Sequence, residues 1–279
     1  MTNEKEPKSG YAEIKDVRLY YEMDGKGPNL VLIHAGCADH RMWDEQFSTF
    51  THHYHVVRYD MRGYGKSTIN TGTFSNRDDL HDLLEALDIQ QAHFVACSMG
   101  SFAVTDFALE HPEKVKSLVL VSPALSGYQY EGQPPQSVID MIDARKAGSL
   151  EHAAELQAQI WADGPKRNSN QSNMEVHKLV RQMSLDSLTL QADIIRETAF
   201  LIEEPLNPPA IEQLEQINVP TLIIVGDLDD DSELAIAEVL TTQINDAQKA
   251  IIHGTAHLPN MEKPEEFNQI VHEFLKEVK

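Results

Sequence analysis

The sequence contains few cysteines and no long hydrophobic segment. Its 279 residues include two cysteines, Cys37 and Cys97, which could form at most one disulfide. A secreted fold held by disulfides is therefore not expected. No apolar segment approaches the roughly 18 to 20 residues that a membrane-spanning helix needs. The first residues, MTNEKEPKSG, are charged and lack the apolar centre of a signal peptide. These absences predict a cytoplasmic protein that has no membrane partner.

Basic residues are scarce relative to acidic ones. Lysine and arginine number 23 against 44 aspartates and glutamates, which gives a formal net charge of −21 at pH 7. Nucleic-acid binding depends largely on basic residues that neutralise phosphates, so no nucleic-acid partner is expected. The same charge opposes the approach of anionic substrates over long distances. The acidic residues are spread along the chain, which is typical of a solvated surface.

Motifs for phosphate and metal binding are also missing. The glycines of RGYGKS, residues 62–67, do not form a GxxxxGK[ST] loop, so no nucleotide cofactor is expected. His52, His53 and His55 lie close together, but no cysteine or carboxylate cluster completes a metal site around them. We therefore expect neither cofactor nor metal. The expected partner is a small molecule, and the expected state is a monomer or a homodimer.

Short apolar segments rich in β-branched residues alternate with helical patterns. The apolar segments are VRLYYEMD, NLVLIHAG, YHVVRYD, HFVACS, SLVLVSP, PTLIIVG and KAIIHG. Helical patterns such as FSNRDDLHDLLEALDI separate most of them. This alternation predicts an α/β fold whose mainly parallel, doubly wound sheet is covered by helices on both faces. Ligands of such sheets bind beyond the carboxyl ends of the strands.

The segment HFVACSMG, residues 93–100, predicts a buried strand that leads into a serine on a tight turn. Ala96 and Gly100 lie two residues before and after Ser98, and a sharp turn requires small residues there. The helix expected from Met99 would direct free N–H groups towards the serine hydroxyl, which favours developing negative charge. The pattern indicates a nucleophile. Alone it is a weak signal, because an ordinary helix N-cap has the same pattern.

The C-terminal third supplies a candidate base and a candidate orienting carboxylate, which a catalytic serine needs. The segment TLIIVGDLDDD reads as an apolar strand with acidic residues at its carboxyl end. Those acidic residues are Asp227, Asp229, Asp230 and Asp231. His257 follows the next short apolar segment, in a loop before a final amphipathic helix.

Four segments in order resemble the α/β-hydrolase fold family. VLIHAG is similar to its strand and oxyanion loop, and YDMRGYGKS matches its D-x-R-G-x-G-x-S motif. LEHPEKVKSLVLVSPA resembles the segment that follows the nucleophile, and GTAHLPNMEKP resembles the block with the catalytic histidine. The resemblance covers about residues 11–278. Ala35, Ala96 and Ala256 replace family glycines, and each change exchanges one small residue for another.

The resemblance implies a catalytic triad in the chain order serine, aspartate, histidine. Ser98 is the expected nucleophile and His257 the expected general base. Asp229 is the expected triad acid, because the family spacing G-x-x-D from Gly226 ends on it. Asp227 remains an alternative.

The resemblance also implies an oxyanion hole and a pocket beside the triad. Backbone N–H groups of Gly36 and Met99 are expected to bind the oxyanion. His34 is expected to support this loop through its ring and to border the substrate pocket, which Trp161 is also expected to line. Cys37 is expected to lie at the mouth of the site, within reach of thiol reagents.

Residues 125–216 contain no convincing strand. Helix-like stretches cover residues 137–147, 150–161, 174–183 and 186–197. Members of the family insert a helical cap at this place in the chain. We therefore expect an all-helical cap at residues 125–216 that covers the active site, and a catalytic core formed by residues 1–124 and 217–279.

The expected reaction is hydrolysis of a carboxylic ester or lactone, or of a thioester, through an acyl-enzyme on Ser98. Family members that open epoxides or displace halide use an aspartate at that position. Hydrolytic cleavage of a carbon–carbon bond in a diketone-type substrate is the first alternative, because it can use the same three residues. The second alternative is a ligand receptor or signalling protein of this fold with slow turnover.

Overall fold

The fold is built around one eight-stranded sheet. The computed structural model describes residues 7–70, 72–167, 172–198 and 201–278. The strands are β1 (Lys8–Ile14), β2 (Val17–Asp24), β3 (Asn29–Ile33), β4 (His55–Tyr59), β5 (Ala92–Cys97), β6 (Val115–Val121), β7 (Thr221–Gly226) and β8 (Gln248–Ile252). Their order is β1-β2-β4-β3-β5-β6-β7-β8. β2 pairs antiparallel with β1 and β4, and the remaining pairings are parallel. The prediction of a mainly parallel sheet is confirmed.

Helices cover both faces of this sheet. They are α1 (Asp44–Phe50), α2 (Asn76–Ala86), α3 (Met99–Glu110), α4 (Gln136–Lys146), α5 (Leu150–Gln157), α6 (Met174–Leu190), α7 (Ala192–Thr198), α8 (Asp231–Gln243), α9 (Pro259–Glu262) and α10 (Pro264–Glu277). Alternate residues of a strand point to opposite faces. In β5, Phe94 packs in the core that includes α2, α3 and α8, whereas Val95 packs in the core that includes α1 and α10. Both faces of the sheet are therefore buried under helices.

The first strand was not predicted from the sequence. β1 lies at the edge of the sheet, where only β2 pairs with it. Of its residues KSGYAEI, only Ala12 and Ile14 are buried. Two buried positions at the end of a short segment are too few to indicate a strand by alternation.

The chain between β6 and β7 forms a helical insertion, residues 122–220. It contains α4 to α7 and a π-helical segment, Ala158–Asp163, and its described residues add no strand to the sheet. A separate hydrophobic core, which includes Met141 and Leu188, holds these helices together. The break expected between residues 183 and 186 is absent, since α6 is continuous there. Ser184 lies within this helix, and its hydroxyl donates to the carbonyl of Cys37 at 2.9 Å.

The strand order reverses beside β3, because β4 lies on one side of it and β5 on the other. A crevice forms at such a reversal beyond the carboxyl ends of the strands. The loops that follow β3 and β5 begin with His34 and Ser98. The expected oxyanion loop and the expected nucleophile therefore both lie at this reversal. Among the described residues, no helix combines the length and the apolar composition that crossing a bilayer requires. Residues 1–6, which carried the signal-peptide argument, lie outside the described residues.

Candidate active site

Ser98 occupies a strained turn between β5 and α3. Its φ of 52° and ψ of −113° place a non-glycine residue in a left-handed region. Such strain persists only where the surroundings hold it, and it concentrates at functional sites. The Ser98 N–H donates to the carbonyl of Val121 at 2.9 Å, which ties the turn to β6. A Cβ on Gly100 would lie 2.7 Å from the carbonyl oxygen of Ile33, so the turn requires glycine there.

His257 and Asp229 form a buried pair at the ends of two neighbouring strands. The Nδ1 atom of His257 lies 3.1 Å from each carboxylate oxygen of Asp229. The side chains are 2% and 1% exposed. The Asp229 Oδ1 atom also accepts from the N–H of Asp230 at 2.9 Å, which fixes the carboxylate. The imidazole therefore has a defined orientation, with the Nδ1 proton directed at the carboxylate.

Asp227 has different partners. Its carboxylate accepts from the Nδ1 atom of His253 at 2.9 Å and from the N–H of Gly254 at 2.6 Å. His253 is largely exposed. Although burial opposes ionisation, these hydrogen bonds lower the pKa of Asp227. The geometry thus joins His257 to Asp229 and gives Asp227 a role in the turn before the histidine loop.

Asp229 changes the pKa of His257. Burial lowers the pKa of the imidazole, but the charge and hydrogen bond of Asp229 outweigh that effect and raise the pKa above its ordinary value. Glu233 adds to this negative field. Burial also raises the pKa of Glu233 itself to about 7. A proton on His257 is therefore stabilised, as a general base requires once it has accepted a proton.

Ser98 and His257 line one cavity of about 250 Å³. Its other lining residues are Gly36, Cys37, Tyr64, Met99, Val138, Met141, Arg145, Gln157 and Trp161. Residues from the loop after β3, from the turn after β5 and from the helical insertion therefore meet here. The expected oxyanion residues, Gly36 and Met99, are among them, and so is the expected pocket residue Trp161.

His34 does not line this cavity, in contrast to its expected place at the pocket. It is fully buried. Its Nδ1 atom donates to the carbonyl of Ala35 at 2.8 Å, and its Nε2 atom accepts from the N–H of Met61 at 2.9 Å. Burial lowers the pKa of this ring. His34 braces the loop after β3 against the loop after β4.

The expected accessibility of Cys37 is wrong. The residue is 4% exposed, and burial raises the pKa of its thiol to about 12. Cys97 is fully buried, and burial raises its pKa as well. The loop that carries Cys37 is covered by the helical insertion, where Ser184 contacts its carbonyl. The sequence predicted a helical cap over the active site, but it did not show that this cap buries Cys37.

An ion pair that sequence reasoning missed fixes the histidine loop. Arg167 and Glu262 form a buried salt bridge between the insertion and α9. Glu262 also accepts from the N–H of Ala256 at 2.8 Å, and Arg167 donates to the carbonyl of Gly254 at 2.6 Å. The glutamate of the segment GTAHLPNMEKP was visible in the sequence, but its basic partner lies far away in the chain. These contacts hold His257 from both sides of its loop.

One group of potential metal ligands occurs among the described residues. It consists of Asp39, His40 and Asp60, all buried. Asp60 already accepts from the Nδ1 atom of His40 at 2.7 Å and from the N–H of Lys66 at 2.8 Å. Asp39 pairs with the guanidinium of Arg41. The hydrogen bonds of Asp60 to His40 and Lys66 join the segment after β3 to the loop after β4.

The strand order and the position of this site beyond the parallel strands define the α/β-hydrolase class of fold. Residues 28–264 match the alpha/beta hydrolase fold family. Because the match covers most of the chain, this chain belongs to that family.

Similar proteins are ester and lactone hydrolases. The chain is 27% identical over 253 residues to 3-oxoadipate enol-lactonase 1 of Acinetobacter baylyi, with 90% of each chain covered. It is 23% identical over 255 residues to a carboxylesterase of Bacillus subtilis, with 89% of this chain and 80% of that protein covered. The enol-lactonase structure from Burkholderia xenovorans superposes with a TM-score of 0.77 at 22% identity, covering 96% of this chain and 100% of the other. That structure supports the fold. The chain is a hydrolase similar to esterases and lactonases.

Proposed function

We propose that this enzyme hydrolyses a carboxylic ester or lactone through an acyl-enzyme on Ser98. The observation that carries the proposal is the buried pair of His257 and Asp229, whose Nδ1 and carboxylate oxygen are 3.1 Å apart, because His257 lines the cavity that Ser98 also lines. With Nδ1 directed at Asp229, the Nε2 atom is the nitrogen of His257 left for the serine hydroxyl. The strained turn at Ser98 supports the same assignment.

The reaction follows from these positions. His257 takes the proton of Ser98 while the serine oxygen bonds to the acyl carbon, and then gives a proton to the departing alcohol oxygen. Asp229 keeps the imidazole in one tautomer and stabilises the imidazolium. Water then attacks the acyl-enzyme with His257 as base, and the carboxylic acid leaves. A lactone gives a hydroxy acid by the same steps.

The oxyanion hole in this proposal consists of the N–H groups of Gly36 and Met99. Both residues line the cavity beside Ser98. Met99 begins α3, so the positive end of the helix dipole also faces the developing charge. A Cβ on Gly36 would lie 3.4 Å from the Sδ atom of Met99, so the two backbone segments approach each other closely. Each such donor contributes roughly 3 to 4 kcal/mol to lowering the barrier.

Residues 125–216 act as a cap in this proposal. Val138, Met141 and Trp161 supply an apolar wall to a cavity whose floor carries the reacting groups. A volume of about 250 Å³ suits a small acyl group. The names of the enol-lactonase and carboxylesterase relatives support small esters and lactones as the substrate class.

A substrate panel tests the proposal. Esters, lactones, thioesters and diketones of matched size are compared by kcat/KM for the wild type and for Ser98→Ala. We expect the highest values for esters or lactones and a loss of several orders of magnitude in the variant. Preferred cleavage of diketones would replace ester hydrolysis by carbon–carbon hydrolysis. Release of only about one equivalent of product from every compound would favour the receptor alternative.

A further inference from the structure

A second cavity, of about 350 Å³, adjoins the cavity of Ser98 and His257, which is called the catalytic cavity below. Val138 and Trp161 line both cavities, so the two spaces meet at these side chains of the helical insertion. The second cavity is the larger one. The proposed reaction takes place in the catalytic cavity and leaves the second cavity without a role.

The second cavity lies on the histidine side of the site. Its lining residue Trp161 contacts the imidazole of His257. Two further lining residues, Asp230 and Glu233, lie directly after the triad acid Asp229, at the start of α8. In the proposed reaction His257 gives a proton to the departing alcohol oxygen, so the alcohol lies on the side of the imidazole. The second cavity is therefore placed to hold the alcohol part of the substrate.

The walls of the second cavity combine apolar and aromatic side chains with acids. The apolar and aromatic lining residues include Tyr130, Pro134, Pro135, Ile160 and Trp161. Among the described lining residues, the charged side chains are those of Asp230 and Glu233, and there is no lysine, arginine or histidine. Aromatic faces attract a cation, and carboxylates attract it more strongly. Such walls suit a group that has an apolar body and a positive charge.

Glu233 is the acid of this wall that lacks a partner. Its Oε2 atom is shielded from solvent, and no described residue forms a hydrogen bond with it. In contrast, the Oδ1 atom of Asp230 accepts from the N–H of Ser232 at 3.0 Å. The amine of Lys166 pairs with Asp231 at 2.7 Å, and neither of these residues lines the cavity. A buried oxygen without a partner is costly, so a ligand that supplies a donor or a positive charge is favoured.

The protonation of Glu233 responds to such a ligand. Burial raises the pKa of Glu233 to about 7; Asp229 and Asp230 act in the same direction, whereas His257 lowers the pKa. Near neutral pH the carboxyl group therefore loses its proton at little cost. A positive charge beside a carboxyl group favours the ionised form. A cation that enters the cavity would thus meet a carboxylate.

We propose that the second cavity binds the alcohol part of the substrate, and that Glu233 is a specificity-determining residue that selects a positively charged ammonium group there. The substrate is then an ester or lactone whose alcohol part carries an ammonium group. This inference rests on the proposed ester or lactone hydrolysis and adds its substrate class. The net charge of −21 also attracts cations at long range, so the field of the whole protein and the local contact favour the same substrates.

A matched pair of esters tests the proposal. 2-(Dimethylamino)ethyl butyrate and 3-methylbutyl butyrate have the same acyl group and alcohol parts of the same shape, but only the first is an ammonium ion at neutral pH. Released butyric acid is titrated at constant pH to give kcat/KM. Each value is divided by the rate constant of that ester with hydroxide, because the ammonium group also makes the alcohol a better leaving group. We expect the wild type to prefer the ammonium ester after this correction.

Substitution of Glu233 should remove the preference. Glu233→Gln should lower the ammonium-to-neutral ratio of kcat/KM roughly 10- to 100-fold, mainly through KM for the ammonium ester. Glu233→Asp should retain part of the ratio, because it keeps the charge on a shorter side chain. An effect of Glu233 on His257 alone would change kcat/KM for both esters equally, so the ratio separates the two roles.

The control variant is Glu238→Gln. Glu238 lies on the same helix, where it pairs with Lys249, and it does not line the second cavity. The substitution changes the net charge by the same amount as Glu233→Gln, so it measures the contribution of the long-range field. Its ratio should equal that of the wild type. Thermal unfolding shows whether each variant is folded, and the wild-type ratio is measured without any variant.

Three outcomes would overturn the proposal. The first is a wild type that hydrolyses the neutral ester as well as the ammonium ester or better, after the correction. The second is a folded Glu233→Gln variant with the wild-type ratio. The third is a Glu238→Gln variant whose ratio falls as far as that of Glu233→Gln. Failure of the proposed function looks different, because the wild type would then hydrolyse neither ester, or Ser98→Ala would hydrolyse both.

Discussion

The indole of Trp161 packs against the imidazole of His257, with ring centroids 4.6 Å apart and an angle of 41° between the planes. Trp161 belongs to the π-helical segment of the insertion, whereas His257 follows β8 of the sheet. The insertion therefore contacts the imidazole of His257 directly. Trp161 also lines the cavity that Ser98 borders. π-helical segments are often found at functional sites. Here the π-helical segment places Trp161 against His257.

Substitution of each aspartate should distinguish Asp229 from Asp227 as the triad acid. Asp229→Asn should lower kcat by roughly 10³- to 10⁴-fold, because an amide can hold the imidazole in the wrong tautomer. Asp227→Asn should have a much smaller effect, since its carboxylate contacts His253 and Gly254. Steady-state kinetics of the two variants, with circular dichroism as the control for folding, provides the comparison. The opposite ranking would assign the triad acid to Asp227.

The pH dependence of kcat/KM should report on His257. The imidazole acts as a base only when it is neutral, so activity is lost as the pH falls through its pKa. Asp229 raises that pKa, and burial alone would lower it. The acid limb of the wild type should therefore lie above that of Asp229→Asn, whose residual activity should persist to lower pH. An acid limb that stays in place or moves to higher pH in the variant would contradict the assigned coupling.

Gly100→Ala should damage the turn that carries Ser98. The new Cβ would lie 2.7 Å from the carbonyl oxygen of Ile33 and 2.8 Å from that of His34. We expect a loss of roughly 1 to 3 kcal/mol in the free energy of unfolding, measured in urea, together with lower kcat. Gly72→Ala is the matched control, because its Cβ would meet no described atom within 4 Å. Wild-type stability and activity in Gly100→Ala would argue against the close approach of these segments.

Neither cysteine should react rapidly in the native enzyme. The thiols of Cys37 and Cys97 are buried, and burial raises both pKa values. A thiolate is the reactive form, so a disulfide reagent should modify the native protein far more slowly than the protein in denaturant. Cys37→Ser should leave the native rate nearly unchanged. Fast native labelling that this variant abolishes would mean that the loop after β3 is open.

Local patterns in the sequence identified the features that depend on neighbouring residues. A buried strand followed by small residues around Ser98 defines a turn whose geometry is set within a few residues. The spacing from Gly226 to Asp229 likewise depends on one loop. The helical insertion could be recognised from the absence of strand patterns, but the local pattern did not show that α6 is continuous through Ser184.

The features that sequence reasoning missed depend on contacts between distant parts of the chain. No local motif in the sequence singles out Arg145. It lines the cavity because α4 packs beside Ser98. The burial of Cys37 has the same origin. The salt bridge of Arg167 with Glu262 joins residues 95 positions apart. No local periodicity carries such information.

Covalent trapping at Ser98 tests the central claim most directly. The native enzyme is treated with a 4-nitrophenyl alkylphosphonate, which resembles the tetrahedral intermediate of ester hydrolysis, and its peptides are analysed by mass spectrometry. We predict about one phosphonyl group per chain, located on the peptide that contains Ser98, with loss of activity in proportion to labelling and much slower labelling of His257→Ala. Complete labelling at another residue, or full inhibition without a modified Ser98, would contradict the account.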